Sequence, residues 1–274
     1  MTPSSESTTR TAVAVPEALQ VANAPNAAAA APRPARTIVT MGGGGFSMEP
    51  ENLALDAYVL GLAAARAGGR APRVCFVGTA SGDSERYLLN FYAAMARLPC
   101  VASHLPLFQR AAYDLREFVL SRDVVYVGGG NTANLLAVWR LHGLDGILRD
   151  AWEAGVVLAG ISAGSLCWYE SGTTDSFGPE LKPIHGGLGF LPGSHSPHYD
   201  GEAQRRPLYQ GLVQSGALPD GWACDDGAAI RWDGTEPAEF VTSRPAARAY
   251  RVRRTPGGVS EEAVATRLLA PVTA

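Results

Sequence analysis

From Thr37 onward, short apolar runs rich in β-branched residues alternate with longer amphipathic stretches. That alternation predicts a parallel sheet covered by helices. Thr37 to Met41 reads as a first strand and runs into four glycines, Gly42 to Gly45. Helical periodicity follows from about Glu51 to Arg66. Arg73 to Gly78 (RVCFVG) predicts a second strand, and Ser84 to Arg97 a helix. Val101 to Leu107 is a weaker strand. Asp123 to Val127 (DVVYV) is a strong one that breaks at Gly128-Gly129-Gly130. Asn134 to His142 and Leu144 to Ala154 have helical spacing. Gly155 to Ile161 (GVVLAGI) is almost continuously apolar, as a strand at the buried centre of a parallel sheet must be.

Beyond residue 180 Gly, Pro and aromatic residues become frequent, and Trp222 to Trp232 and Glu239 to Arg253 predict strands of an antiparallel extension. Residues 1 to 36 are rich in Ala, Pro, Ser and Thr and lack the basic start and apolar stretch of a secretory signal. They predict a disordered tail. Residues 37–274 then form one α/β domain, a size that suffices for a substantial core.

Composition narrows the function classes. A formal net charge of -3 offers no footprint for nucleic acid or an anionic membrane. No uninterrupted apolar run approaches the ~20 residues that span a bilayer. Cys75, Cys100, Cys167 and Cys224 are widely spaced, without a C-x-x-C pair. Reduced thiols in a cytoplasm are therefore the expectation, rather than a disulfide framework or a zinc knuckle.

The segment that carries chemistry is Gly160-Ile161-Ser162-Ala163-Gly164, a G-x-S-x-G directly after the apolar strand. A nucleophile elbow needs small residues on both sides of the serine because the turn is tight and strained. A helix expected over Ser165 to Glu170 would aim its free N–H groups and dipole at the site. A glycine-rich helix start with a capping serine gives the same five letters, so the position between strand and helix is what favours catalysis. The loop Gly128-Gly129-Gly130-Asn131-Thr132 also ends a strand and would meet the elbow at one edge of the sheet. It could cradle a phosphate, but neither a P-loop nor a dinucleotide fingerprint is present.

A serine needs a base, and five histidines are available. His198 lies in a loop, Ser196-Pro197-His198-Tyr199-Asp200, after a rigid proline. Acids that could orient its ring are Asp175, and Asp225 or Asp226 in the DDG turn.

Together, V-G-G-G-N-T at Val127 to Thr132, G-I-S-A-G-S at Gly160 to Ser165 and P-H-Y at Pro197 to Tyr199 resemble the peptidase E group of serine peptidases, family S51, which includes cyanophycinase. The resemblance implies a three-layer α/β fold with a mostly parallel, flavodoxin-like sheet of the class I glutamine amidotransferase type. It implies Ser162 as nucleophile, His198 as base and Asp175 as acid, with Asp226 as the alternative. The N–H groups of Gly129 or Gly130 and of Ala163 would form the oxyanion hole. Asn131, Arg205 and Arg206 are the substrate-binding candidates, an arginine being suited to hold a carboxylate. The expected reaction is hydrolysis of short peptides without metal or organic cofactor, and a homodimer is compatible with the sequence. The alternatives are a non-catalytic binder of small ligands on the same scaffold, an esterase, and, third, a nucleotide-binding protein. An esterase of the α/β-hydrolase kind would place a histidine near the chain end and carry an HGGG-type loop, and both are missing.

Overall fold

A computed structural model describes residues 35–109 and 114–272, so the expected tail lies, but for residues 35 and 36, outside the described residues. The strands in chain order are β1 (Thr37–Met41), β2 (Arg73–Val77), β3 (Val101–His104), β4 (Val124–Val127), β5 (Val157–Ile161), β6 (Tyr169–Thr174) and β7 (Lys182–His185). They continue with β8 (Leu191–Ser196), β9 (Gly221–Cys224), β10 (Ala228–Asp233), β11 (Glu236–Thr242), β12 (Ala249–Thr255), β13 (Gly258–Val264) and β14 (Arg267–Leu268). The larger sheet has the order β14-β11-β10-β1-β5-β4-β2-β3, with β1 to β5 all parallel and β10 antiparallel to β1. The smaller has the order β13-β12-β9-β8-β6-β7.

Alternation along the central strands explains the layers. Ile38, Cys75, Val77, Val125, Val127 and Leu158 face one core, shared with Leu135, Trp139, Leu148 and Trp152 of the helices Thr132–His142 and Leu144–Glu153 and with Tyr169, Leu191 and Cys224 of the smaller sheet. Val39, Met41, Phe76, Tyr126 and Ala159 face the other, under Leu55 and Val59 of the helix Ala54–Leu62 and Phe91 and Met95 of the helix Glu85–Met95. This is the expected three-layer, mostly parallel, flavodoxin-like arrangement. Among the described residues no helix is long and apolar enough to cross a membrane.

Two expectations are corrected. The amphipathic run from Glu51 to Arg66 is two helices, Ala54–Leu62 and Ala64–Ala67. The runs Trp222 to Trp232 and Glu239 to Arg253 are not strands of one extension. Each is cut by a turn and divided between the two sheets, β9 from β10 and β11 from β12. The first cut is at Asp225-Asp226-Gly227, where Gly227 has φ 83°.

One buried acid stands out in the core. Asp56 is fully buried, its Oδ1 accepts from the Tyr126 hydroxyl at 3.0 Å, and its Oδ2 has no partner among the described residues. Burial pushes its carboxyl up to about 7, against the smaller opposing effect of the Tyr126 bond. The folded chain therefore holds a proton that the unfolded chain releases near the ordinary aspartate value. Stability should fall between about pH 4 and 7, by up to about 1.4 kcal/mol per pH unit, and level off above. Urea unfolding of wild type and Asp56→Asn across that range checks this: the slope is expected to be lost in the variant.

Candidate active site

Parallel register brings the ends of β1, β5 and β4 together, with Met41 opposite Ile161 and Val127 opposite Gly160. Ser162 follows β5 directly, with φ 57° and ψ -114°, and its N–H donates to the Met41 carbonyl at 3.2 Å. A positive φ at a non-glycine residue costs on the order of 1–3 kcal/mol and persists only where the surroundings impose it. Here both neighbouring glycines impose it. A Cβ on Gly160 would strike the Gly164 carbonyl, and one on Gly164 the Val127 carbonyl. The elbow thus packs backbone on backbone, and Ser162 stays half-buried at the sheet edge. No hydrogen bond engages its hydroxyl among the described residues.

The helix after the elbow is shorter than expected. It spans only Ala163–Leu166, and Tyr169 already begins β6. Trp168 and Tyr169 are drawn into the core between the sheets, which ends the helix after one turn. The local contribution is therefore the Ala163 N–H rather than a helix dipole.

His198 also has a positive φ, 52°. Its Nδ1 lies 2.6 Å from Asp226 Oδ1, and both side chains are largely buried. The Tyr199 N–H ties this loop to β9 by donating to the Cys224 carbonyl at 3.0 Å. The Asp226 N–H donates to Asp200 Oδ1 at 2.8 Å, and the Gly227 N–H donates to the Gly43 carbonyl at 3.0 Å. Burial pushes the Asp226 carboxyl up, but the His198 bond and charge, with Arg244 and Arg205, outweigh burial and hold it below the usual range. The glycine loop after β1 links this pair to the elbow. Met41 accepts from Ser162, and two residues on Gly43 lies so close to Asp226 that a Cβ there would meet its carboxylate.

His195, three residues before His198, is wholly buried, stacked on Tyr169, with Nε2 2.8 Å from Ser165 Oγ and Nδ1 3.1 Å from the Trp222 carbonyl. Burial pushes its pKa down to about 3. A neutral His195 therefore fastens the turn that carries Ser162 to the strand that delivers His198.

The other acids are elsewhere. Asp175 is exposed and does not touch His198; its neighbour Ser176 caps the helix Thr132–His142 by accepting from Thr132 and Ala133 at 2.9 and 3.3 Å. Asp225 accepts from the Arg248 N–H and the Tyr250 hydroxyl and braces β9 against β12. The carboxylate on the imidazole is thus Asp226, where the sequence puts Asp175 first.

The glycine loop is also placed differently in detail. The Gly129 N–H donates to the Tyr87 hydroxyl at 3.2 Å, while the Gly129 Cα faces Ser162. Gly130 is exposed, with φ 136°, and the Ala80 carbonyl lies so close behind it that a Cβ there would strike it. The N–H groups of Gly130 and Ala163 have no acceptor among the described residues. Of the three expected oxyanion donors, Gly130 and Ala163 are open and Gly129 is engaged. Asn131 is a helix cap: its Oδ1 accepts from Asn134 at 2.8 Å and its Nδ2 donates to the Ser176 carbonyl. The first N–H groups of that helix are thus engaged by Ser176 and Asn131 rather than open to a phosphate.

Neither arginine is free for a substrate carboxylate. Arg205 is buried, its Nε and Nη2 on Glu202 and its Nη1 on the Thr173 carbonyl. Arg206 pairs with Glu261 and lies over the rings of Tyr199 and Tyr250. Both join the helix Arg205–Ser215 to the smaller sheet. Among the described residues no group of three His, Cys, Asp or Glu side chains is arranged to hold a metal ion. Sequence reasoning missed Gly43, Tyr87 and Ser176; of these only Gly43 left a trace, in the run of four glycines.

Comparison with known proteins bears on the family and the fold. The model of peptidase family S51 matches residues 38–239. The chain is 53% identical to the uncharacterized peptidase YgaJ of Bacillus subtilis over 219 residues, 79% of this chain and 92% of that protein. It is 36% identical over 87 residues, 31% of this chain and 37% of that protein, to peptidase E of Shewanella amazonensis. Among solved structures, a peptidase from an acI-B1 Actinobacterium superposes with a TM-score of 0.63 at 18% identity, covering 85% of this chain and 95% of that one. A putative peptidase E protein of Listeria monocytogenes gives 0.54 at 18% identity, covering 77% of this chain and 100% of that one.

Proposed function

The chain belongs to peptidase family S51 and is a peptidase, and we propose that it hydrolyses short peptides through a Ser162–His198–Asp226 triad. The observation that carries this reading is the 2.6 Å contact between His198 Nδ1 and Asp226, together with a strained, unengaged Ser162 that the Met41–Gly43 loop links to that pair. With the Nδ1 proton held on the carboxylate, the lone pair of Nε2 is available as the base. Ser162 Oγ attacks the peptide carbonyl carbon and its proton passes to Nε2. The carbonyl oxygen gains the negative charge and is met by the N–H groups of Gly130 and Ala163. When the intermediate collapses, Nε2 returns the proton to the departing amine and the C–N bond breaks. Water then attacks the acyl-serine by the same route, and the carboxylic acid leaves.

The acyl intermediate gives the test. Acid-quenched wild-type protein, mixed briefly with an activated dipeptide ester, should gain the mass of the acyl group on the peptide that contains Ser162. Turnover with no adduct, or an adduct on another residue, overturns the proposed nucleophile.

A further inference from the structure

We propose that Tyr87 is the positioning residue of the oxyanion loop, holding the Gly130 N–H at the angle the tetrahedral intermediate requires; this rests on the peptidase reading above. Tyr87 stands in the first turn of the helix Glu85–Met95, and its hydroxyl makes two bonds at once. It accepts from the Gly129 N–H at 3.2 Å and donates to Ser47 Oγ at 2.8 Å. Its ring is wedged between Phe46 and Phe76, with centroids 5.6 and 5.0 Å away, and lies so close to Gly128 that a Cβ there would come within 3.0 Å of it.

On the far side of the loop, the Asn131 N–H donates to the Ala80 carbonyl at 2.8 Å, the same carbonyl that a Cβ on Gly130 would strike. The Gly129–Gly130 peptide is therefore fixed at both ends, by Tyr87 before it and Ala80 after it. Between those anchors the Gly130 N–H alone has no acceptor among the described residues. Glycine backbone is permissive, so the orientation of that donor is set by its anchors rather than by its own φ and ψ preferences. An oxyanion donor stabilises the transition state only if it is already aimed where charge develops. Without the phenol oxygen, the Gly129 N–H loses its acceptor and the peptide can turn to find water. The cost should then appear in the tetrahedral intermediate, while the ground-state complex is little changed.

The experiment compares wild type, Tyr87→Phe and Ser47→Ala on the dipeptide that wild type depletes fastest, with inhibition by the corresponding peptide aldehyde, which forms a tetrahedral adduct. Tyr87→Phe is expected to lower kcat about tenfold with KM within about twofold, and to weaken the aldehyde by the same factor. Its Tm is expected to move by only a few degrees. Ser47→Ala keeps the Gly129 bond and should lose less than Tyr87→Phe, so it separates a tilted phenol from a disrupted fold. An unchanged kcat in Tyr87→Phe, or a loss seen in KM or Tm with aldehyde affinity intact, overturns the role of Tyr87 alone. A wild type without turnover overturns the peptidase reading and this inference with it.

Discussion

Asp226→Asn is expected to lower kcat about 10⁴-fold, while Asp175→Asn leaves it within about twofold. The reason lies in what the carboxylate does for His198. Nδ1 faces Asp226 Oδ1 at 2.6 Å, so the ionised acid fixes the tautomer with its proton on Nδ1 and leaves Nε2 basic. An asparagine of the same shape can present its N–H₂ to Nδ1, which moves the ring proton to Nε2 and removes the base. The acid stays ionised because the His198 bond and charge and two arginines overcome the burial that would otherwise protonate it. The fold should tolerate the change, because the Asp226 backbone is anchored independently by Asp200 and, through Gly227, by Gly43. Asp175 is exposed on the loop beside Ser176, so its replacement touches neither base nor nucleophile. Steady-state kinetics of both variants, with unfolding curves as a control, decide the matter. Equal losses in the two, or a larger one in Asp175→Asn, would reverse the assignment.

The strained turn at Ser162 was legible because local rules force it, whereas His198 stood out among the five histidines mainly through the family resemblance. G-x-S-x-G behind an apolar strand can scarcely fold otherwise once Gly160 and Gly164 meet backbone carbonyls, and Pro197 already confines the loop of His198. The parallel central strands were legible for a similar reason, since strands buried on both faces must be continuously apolar. The choice among the acids was not legible, and Asp226 stood only as the alternative to Asp175. Asp226 reaches His198 only because the chain leaves the smaller sheet after β9 and enters the larger one at β10, a crossing that apolar periodicity cannot report. Its three-letter turn reads like any hairpin. The arginines failed for another reason: a charged residue in sequence gives no sign of its partner, and Glu202 and Glu261 neutralise Arg205 and Arg206. Tyr87 was invisible because a tyrosine in an amphipathic helix is ordinarily core, and only its hydroxyl, at the rim of the glycine loop, has a second use.

Ser162→Ala carries the largest expected effect, on the order of 10⁶-fold in kcat or below detection. Deleting one oxygen removes the proposed nucleophile, while the open N–H groups of Gly130 and Ala163 and the His198–Asp226 pair remain. Alanine also lacks a γ atom at a position with φ 57°, so the elbow itself should persist and substrate binding should survive. That combination separates a peptidase from a protein that only binds small ligands on this scaffold, since a binder has no turnover to lose. The decisive measurement is mass spectrometry of a mixed dipeptide and tripeptide library incubated with wild type and with Ser162→Ala. Depletion of a subset of peptides by the wild type alone is the predicted result, and the identity of those peptides gives the specificity. Equal depletion by both proteins, or none by either, would contradict a peptidase that works through Ser162.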